Sequence, residues 1–105
     1  MYIYINIIKF YTIFKSQNEY ILSKQILRCG TSIGANVEKA IAAHSKKDFI
    51  SKLSIANKEA RETKYWLKLY QSSNLIQIEV DSYLKEIESI INILTKIIKT
   101  SSENL

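Results

Sequence analysis

The residues of this chain that look most suited to chemistry are crowded into Arg28–Ala40, RCGTSIGANVEKA, which holds the only cysteine and both glycines of a sequence without proline. Three kinds of chemistry are conceivable there, and each can be tested against spacing. A phosphate-cradling loop requires a lysine and a hydroxyl directly after the second glycine, and Gly34 is followed by Ala35 and Asn36. A nucleophile elbow places one residue on each side of its serine between two glycines, a spacing that Gly30-Thr31-Ser32-Ile33-Gly34 matches, but the elbow sits on a strand-to-helix turn and the run before Gly30 has helical periodicity with no strand. Cysteine–histidine catalysis would pair Cys29 with His44, the only histidine. On one helix the two would stand roughly 22 Å apart, far beyond hydrogen-bond reach. Helix-bundle metal sites combine inward carboxylates with a Glu-x-x-His element, and neither the Glu59/Glu62 pair nor Glu86 and Glu88 is followed by a histidine at that offset. The sequence therefore leads us to expect no catalytic residue, no metal and no cofactor.

The elements around this stretch read as helices. Apolar residues recur at steps of three and four in four runs: Ile3–Phe14, Leu22–Ala43, Phe49–Tyr70 and Val80–Ile98. A stripe of that period needs a partner along its whole length, and four of them satisfy one another in an antiparallel up-down four-helix bundle. The expected fold is thus all-α, a single domain over 1–105, with helices at about 2–16, 20–43, 46–71 and 76–100. Ser45 is placed to cap the third helix and Asp48 to favour its N-terminal dipole. Gln71–Asn74 closes the third helix and offers caps to the fourth, and the tail from Thr100 is expected to fray. The second stripe is built from small residues, so its helix should come close to a neighbour. Gly30 and Gly34 lie one turn apart, each costing about 1 kcal/mol of helix stability relative to alanine. We read them as a packing site, with Ser32 and Asn36 supplying hydrogen bonds nearby.

Composition narrows the class further. At 105 residues, 47% hydrophobic and 24% charged, the chain suits one globular domain, and a single cysteine suits a reducing cytoplasm. The apolar start MYIYINIIKFYTIF is short of the roughly 20 residues a bilayer requires and is interrupted by Asn6 and Lys9, so no membrane role is expected. The net charge of +5 is localised: Lys39–Lys68 holds eight basic and three acidic residues, and the remainder is balanced. On a helical wheel the third run sorts these charges. Lys46, Lys47, Lys58, Arg61, Lys64 and Lys68 fall on one flank of the apolar seam, and Ile55, Glu59, Glu62 and Trp66 on the other. Lysines along a flank neutralise successive phosphates without reading bases, which points to RNA or DNA bound with low sequence specificity. The flank of Ile55, Glu59, Glu62 and Trp66 has the composition of an oligomer interface.

The stretches LSKQILRCGTSIGANVEKA and SKKDFISKLSIANKEARETKYWLKLY resemble the bacterial four-helix-bundle family encoded by intervening sequences of 23S rRNA genes. That family is in turn similar to the accessory variability determinant of diversity-generating retroelements. The resemblance rests on Leu22, Gln25, Arg28, Ser32, Ile33, Asn36, Glu38, Phe49, Ala56, Glu59, Ala60, Glu62 and Trp66. It implies a bundle that assembles as a pentameric ring with a positively charged surface, and among relatives the binding of nucleic acid and a reverse transcriptase. Cys29 stands where the family usually has serine, and Lys39 where glutamate is common. The function expected is a non-enzymatic, oligomeric nucleic-acid-binding protein. The alternative is a protein–protein adaptor, an accessory subunit for a reverse transcriptase or an rRNA-processing enzyme.

Overall fold

The computed structural model describes residues 20–73 and 80–104. The helix expected at 2–16 and the cap expected from Asn74 lie outside the described residues. Within them the chain is all-α, with no strand: α1 is Tyr20–Ile41, α2 is Lys46–Ser73 and α3 is Asp81–Glu103.

The three helices form where the apolar periodicity places them, and their stripes are the core. Ile26, Cys29, Ile33, Asn36 and Ala40 are buried from α1, and Leu53, Ala56, Ala60, Thr63, Leu67 and Tyr70 from α2. Ile87, Ile91 and Leu94 complete the core from α3, together with Val80 just before it. The two buried polar side chains are satisfied inside their own helices. Thr63 donates its hydroxyl to the Glu59 carbonyl at 2.8 Å, and Asn36 donates its amide to the Ser32 carbonyl at 2.9 Å and the Ser32 hydroxyl at 3.2 Å. Neither needs a partner from another helix, so each can sit in an apolar seam.

Helix ends follow local chemistry. The Ser45 hydroxyl accepts from the Asp48 amide at 3.0 Å, capping α2 as its spacing implies, and Asp48 pairs with Lys52 one turn on at 3.4 Å. α1 stops at Ile41, two residues short of the expected end, where Ala43 closes a tight turn onto the Ala40 carbonyl at 3.1 Å. α3 starts from Val80, whose side chain makes no capping bond, and runs on to Glu103. The expected fraying from Thr100 is therefore corrected: Lys46 donates its ammonium to the Asn104 carbonyl at 3.1 Å, tying the end of α3 to the start of α2.

Side-chain contacts fix the topology. Asn57 meets Thr95, Lys64 meets Glu88 and Gln71 meets Asp81, and the two positions of each pair advance in opposite directions, so α2 and α3 are antiparallel in one continuous register. Only four residues connect α1 to α2, and Arg28 reaches Glu59 and Glu62, so that pair is antiparallel as well. α2 is the central element. It packs against α1 and α3, while no Cα of α1 comes within 8 Å of one in α3. Among the described residues no helix is long and apolar enough to cross a membrane.

Candidate nucleic-acid interface

The central position of α2 determines what its two flanks do. The Glu59–Glu62–Trp66 flank is turned to α1, where a compact polar cluster forms. Arg28 Nη2 donates to Glu62 Oε1 at 2.6 Å, and its Nη1 stands 3.6 Å from Glu59 Oε2. Gln25 accepts from Arg28 Nε and Nη2 at 3.3 and 3.2 Å, which orients the guanidinium along α1. The Trp66 indole approaches Glu62 Oε1 at 3.4 Å. Cys29 lies beneath, fully buried, with Arg28 Nη2 3.2 Å from its sulfur.

Burial pushes the Cys29 thiol up to about 12, and its hydrogen bond to the Glu62 carboxylate adds to the shift. For Glu62, burial opposes ionisation, but hydrogen bonds from the Cys29 thiol and the Trp66 indole, together with Arg28, outweigh it and hold its carboxyl below the usual range. Ligand-type atoms of Cys29, Glu59 and Glu62 do lie within 4.8 Å of one another. The cation in that cluster is the Arg28 guanidinium, and the thiol is held protonated. Three of the four residues expected at an oligomer interface are thus engaged within the chain, while Ile55 stays exposed.

The basic flank faces α3 and solvent. Lys64 is half-buried and paired with Glu88 at 2.6 Å, a hydrogen bond that holds the Glu88 carboxyl below its ordinary range. Lys46 is exposed and bound to the Asn104 carbonyl. Lys47, Lys58, Arg61 and Lys68 are exposed, and among the described residues none of them has a carboxylate within ion-pair distance. Between α2 and α3 lies a groove of about 310 Å³. Arg61, Lys64, Tyr65 and Lys68 line it from α2, and Glu88, Ile91 and Asn92 from α3.

The chain matches the model of the 23S rRNA-intervening sequence proteins over residues 1–96. It belongs to that family. A solved structure, a protein of unknown function from the S23 ribosomal protein family of Bacteroides thetaiotaomicron VPI-5482, is similar to it at 44% identity and a TM-score of 0.87, covering 92% of each chain. A search of the curated proteins found no match.

In this member of the 23S rRNA-intervening sequence family, the acids of α2 are each paired with a cation. Asp48 is half-buried beside Lys52, and Glu59 and Glu62 are turned to Arg28. What remains exposed along α2 is basic, hydroxylic and partly apolar: Lys47, Ser51, Ser54, Lys58, Arg61 and Lys68 stand beside Ile55, Tyr65 and Leu69. Sequence reasoning missed the Arg28 cluster, although the shared face of Glu59 and Glu62 was a signal that some cation answers them. It also missed Tyr65, whose side of the helix becomes legible only once α3 is in place. Gly30 and Gly34 are both buried, across the apolar seam of α1 from Arg28. The Ser32 and Asn36 hydrogen bonds expected near them stay within α1.

Proposed function

We propose that this chain is a non-enzymatic nucleic-acid-binding protein that engages RNA or DNA through the solvent face of α2. The observation that carries the reading is the separation of charge on that helix, with every acid of α2 paired and Lys47, Lys58, Arg61 and Lys68 in no ion pair among the described residues. Cations along about 30 Å of helix, with Glu88 of α3 the carboxylate that meets them in the groove through Lys64, suit a phosphate backbone and give affinity without base readout. The membership in a family described by 23S rRNA intervening sequences supports the same partner class. A non-catalytic role is supported by the chemistry of Cys29, a buried thiol pushed up to about 12 and so a poor nucleophile.

Two structural features belong to the same proposal. The apolar run at 2–16 supplies the fourth helix of an antiparallel bundle, a reading supported by α1 and α3 flanking α2 without meeting. Copies of the chain assemble as a cytoplasmic homo-oligomer, pentameric as the resemblance implies. Ile93 and Ile97, exposed one turn apart on α3, support a contact between copies.

The test is retention of RNA and DNA across a salt series by the double variant Lys58→Glu with Arg61→Glu. For every phosphate no longer neutralised, the slope of log K against log salt should fall by about 0.7 for single strands or about 0.9 for duplex. An unchanged affinity and slope would end the proposal, and would favour the adaptor reading in which the partner is a protein.

A further inference from the structure

The groove between α2 and α3 holds more than charge. Tyr65 stands in it 59% exposed, one turn from Arg61 on one side and three residues from Lys68 on the other. Its ring meets that of Trp66 at 70° with centroids 5.1 Å apart, an edge contact, and among the described residues no second ring packs on it. From α3, Ile91 supplies an apolar element of the same wall, Asn92 a polar one, and Glu88 a carboxylate that is neutralised by Lys64 at 2.6 Å. The groove's volume of about 310 Å³ is at the small end of the roughly 300–1,000 Å³ over which small-molecule sites range.

A surface that only neutralises duplex phosphates has no use for an exposed aromatic ring. A ring set among cations is the arrangement by which single strands are held, since the backbone follows the charges while an unstacked base lies on the π-face. In a duplex every base is already stacked on its neighbours and out of reach. From Arg61 to Lys68 is about 10 Å along the helix, room for a short stretch of backbone around one central ring. We infer that the α2–α3 groove binds a single-stranded polynucleotide, with Tyr65 stacking on one base while Arg61 and Lys68 hold the flanking phosphates. This rests on the nucleic-acid reading and narrows it to a strand state and a contact residue.

The experiment is fluorescence anisotropy at one fixed salt concentration with a 12-nucleotide single-stranded RNA, the same sequence as single-stranded DNA, and the matching DNA duplex. The proteins are the natural chain, Tyr65→Ala, Tyr65→Phe and Arg61→Glu. Single strands should bind more tightly than duplex. Tyr65→Ala should weaken single-strand binding about 5-fold or more with the duplex unchanged, Tyr65→Phe should retain it, and Arg61→Glu should weaken all three. Emission of Trp66, the only tryptophan, should respond to single strands in the natural chain and not in Tyr65→Ala. Tighter RNA or tighter DNA binding assigns the strand chemistry, and either result supports the inference.

A duplex preference, or equal loss on all probes in Tyr65→Ala, overturns the inference. If Arg61→Glu still weakens binding in that case, the broader nucleic-acid reading survives. If no probe binds, both fall. Polyglutamate of equal charge competing as well as the oligonucleotides would also overturn it, because the groove would then be recognising charge alone, as an acidic protein partner would offer.

Discussion

Replacing Arg28 with methionine keeps an aliphatic stem against the helix surface and removes the charge that faces two carboxylates. The Arg28–Glu62 contact at 2.6 Å joins side chains 53% and 33% exposed, so solvent screens it and it contributes no more than about 1 kcal/mol. Glu59 is the larger matter. Its side chain is 13% exposed, its Oε2 is buried without a hydrogen bond, and its countercharge is Arg28 Nη1 at 3.6 Å. Stripping the partner from a fully buried pair costs about 3–5 kcal/mol. Here the guanidinium is half in water, and solvent can follow it out, so the two effects together should come to about 2 kcal/mol. For a domain near 100 residues that is a fall in melting temperature of about 8–16 °C. Thermal melts followed by circular dichroism at pH 7 and at pH 3.5 provide the test. Glu62 is held below its ordinary value of 4.5 in the fold, so the stability it contributes is present above that value and is lost as pH falls through the depressed folded one. The gap between the two proteins should accordingly be widest at neutral pH and narrow in acid. A loss under about 0.5 kcal/mol at pH 7 would refute the reasoning, as would an equal loss at both pH values.

Two further predictions concern α1. Cys29 is raised from 9.0 to about 12, so its contribution to stability is fully present below pH 9 and is lost as pH rises towards 12. Chemical denaturation between pH 8 and 11 should show that loss in the natural chain and less of it in Cys29→Ala, and a thiol reagent at pH 8 should label Cys29 only on unfolding. Gly34→Leu should destabilise by about 1–3 kcal/mol through overpacking, or else change the subunit number. Melting and light scattering distinguish the two, and an unaltered result in both would remove the packing role assigned to Gly34.

Much of the fold was legible because helical periodicity names the inward face of each helix from its own residues. From Ile26 onward, the positions predicted for the seams of α1, α2 and α3 are buried or half-buried, down to the polar Asn36 and Thr63. The cap at Ser45 was readable for the same reason, since its partner Asp48 is three residues away. Periodicity does not say on which side of its seam a helix meets each neighbour. That choice placed α1 over Glu59, Glu62 and Trp66, and it turned a flank with the composition of an external interface into an internal one. Arg28 and Glu62 are 34 positions apart, and no local pattern couples them. The tail from Thr100 failed as a local reading because Lys46, at the far end of α2 in sequence, holds it.

The Arg28 cluster and the basic face are linked by a single constraint. α2 carries three acids between Lys46 and Lys68, and any of them left on the solvent side would sit among the lysines and weaken the field that an anionic strand meets. Their positions in α2 put Glu59 and Glu62 across the apolar seam from the lysines, where one arginine of α1 answers both, and Lys52 answers Asp48 one turn on. The core contact between α1 and α2 therefore bears on the charge of a surface on which α1 itself supplies none of the cations. It follows that Arg28→Met should act twice, lowering stability and also leaving two carboxylates of α2 without their cation, which weakens the positive field of the helix. Binding of oligonucleotides by that variant, measured below its melting temperature, should weaken although Arg28 does not touch the groove. Unchanged binding there would mean that the two uncompensated carboxylates do not reach the field of the groove, and that position in the helix alone, with no help from the ion pair, sorts the charges of α2.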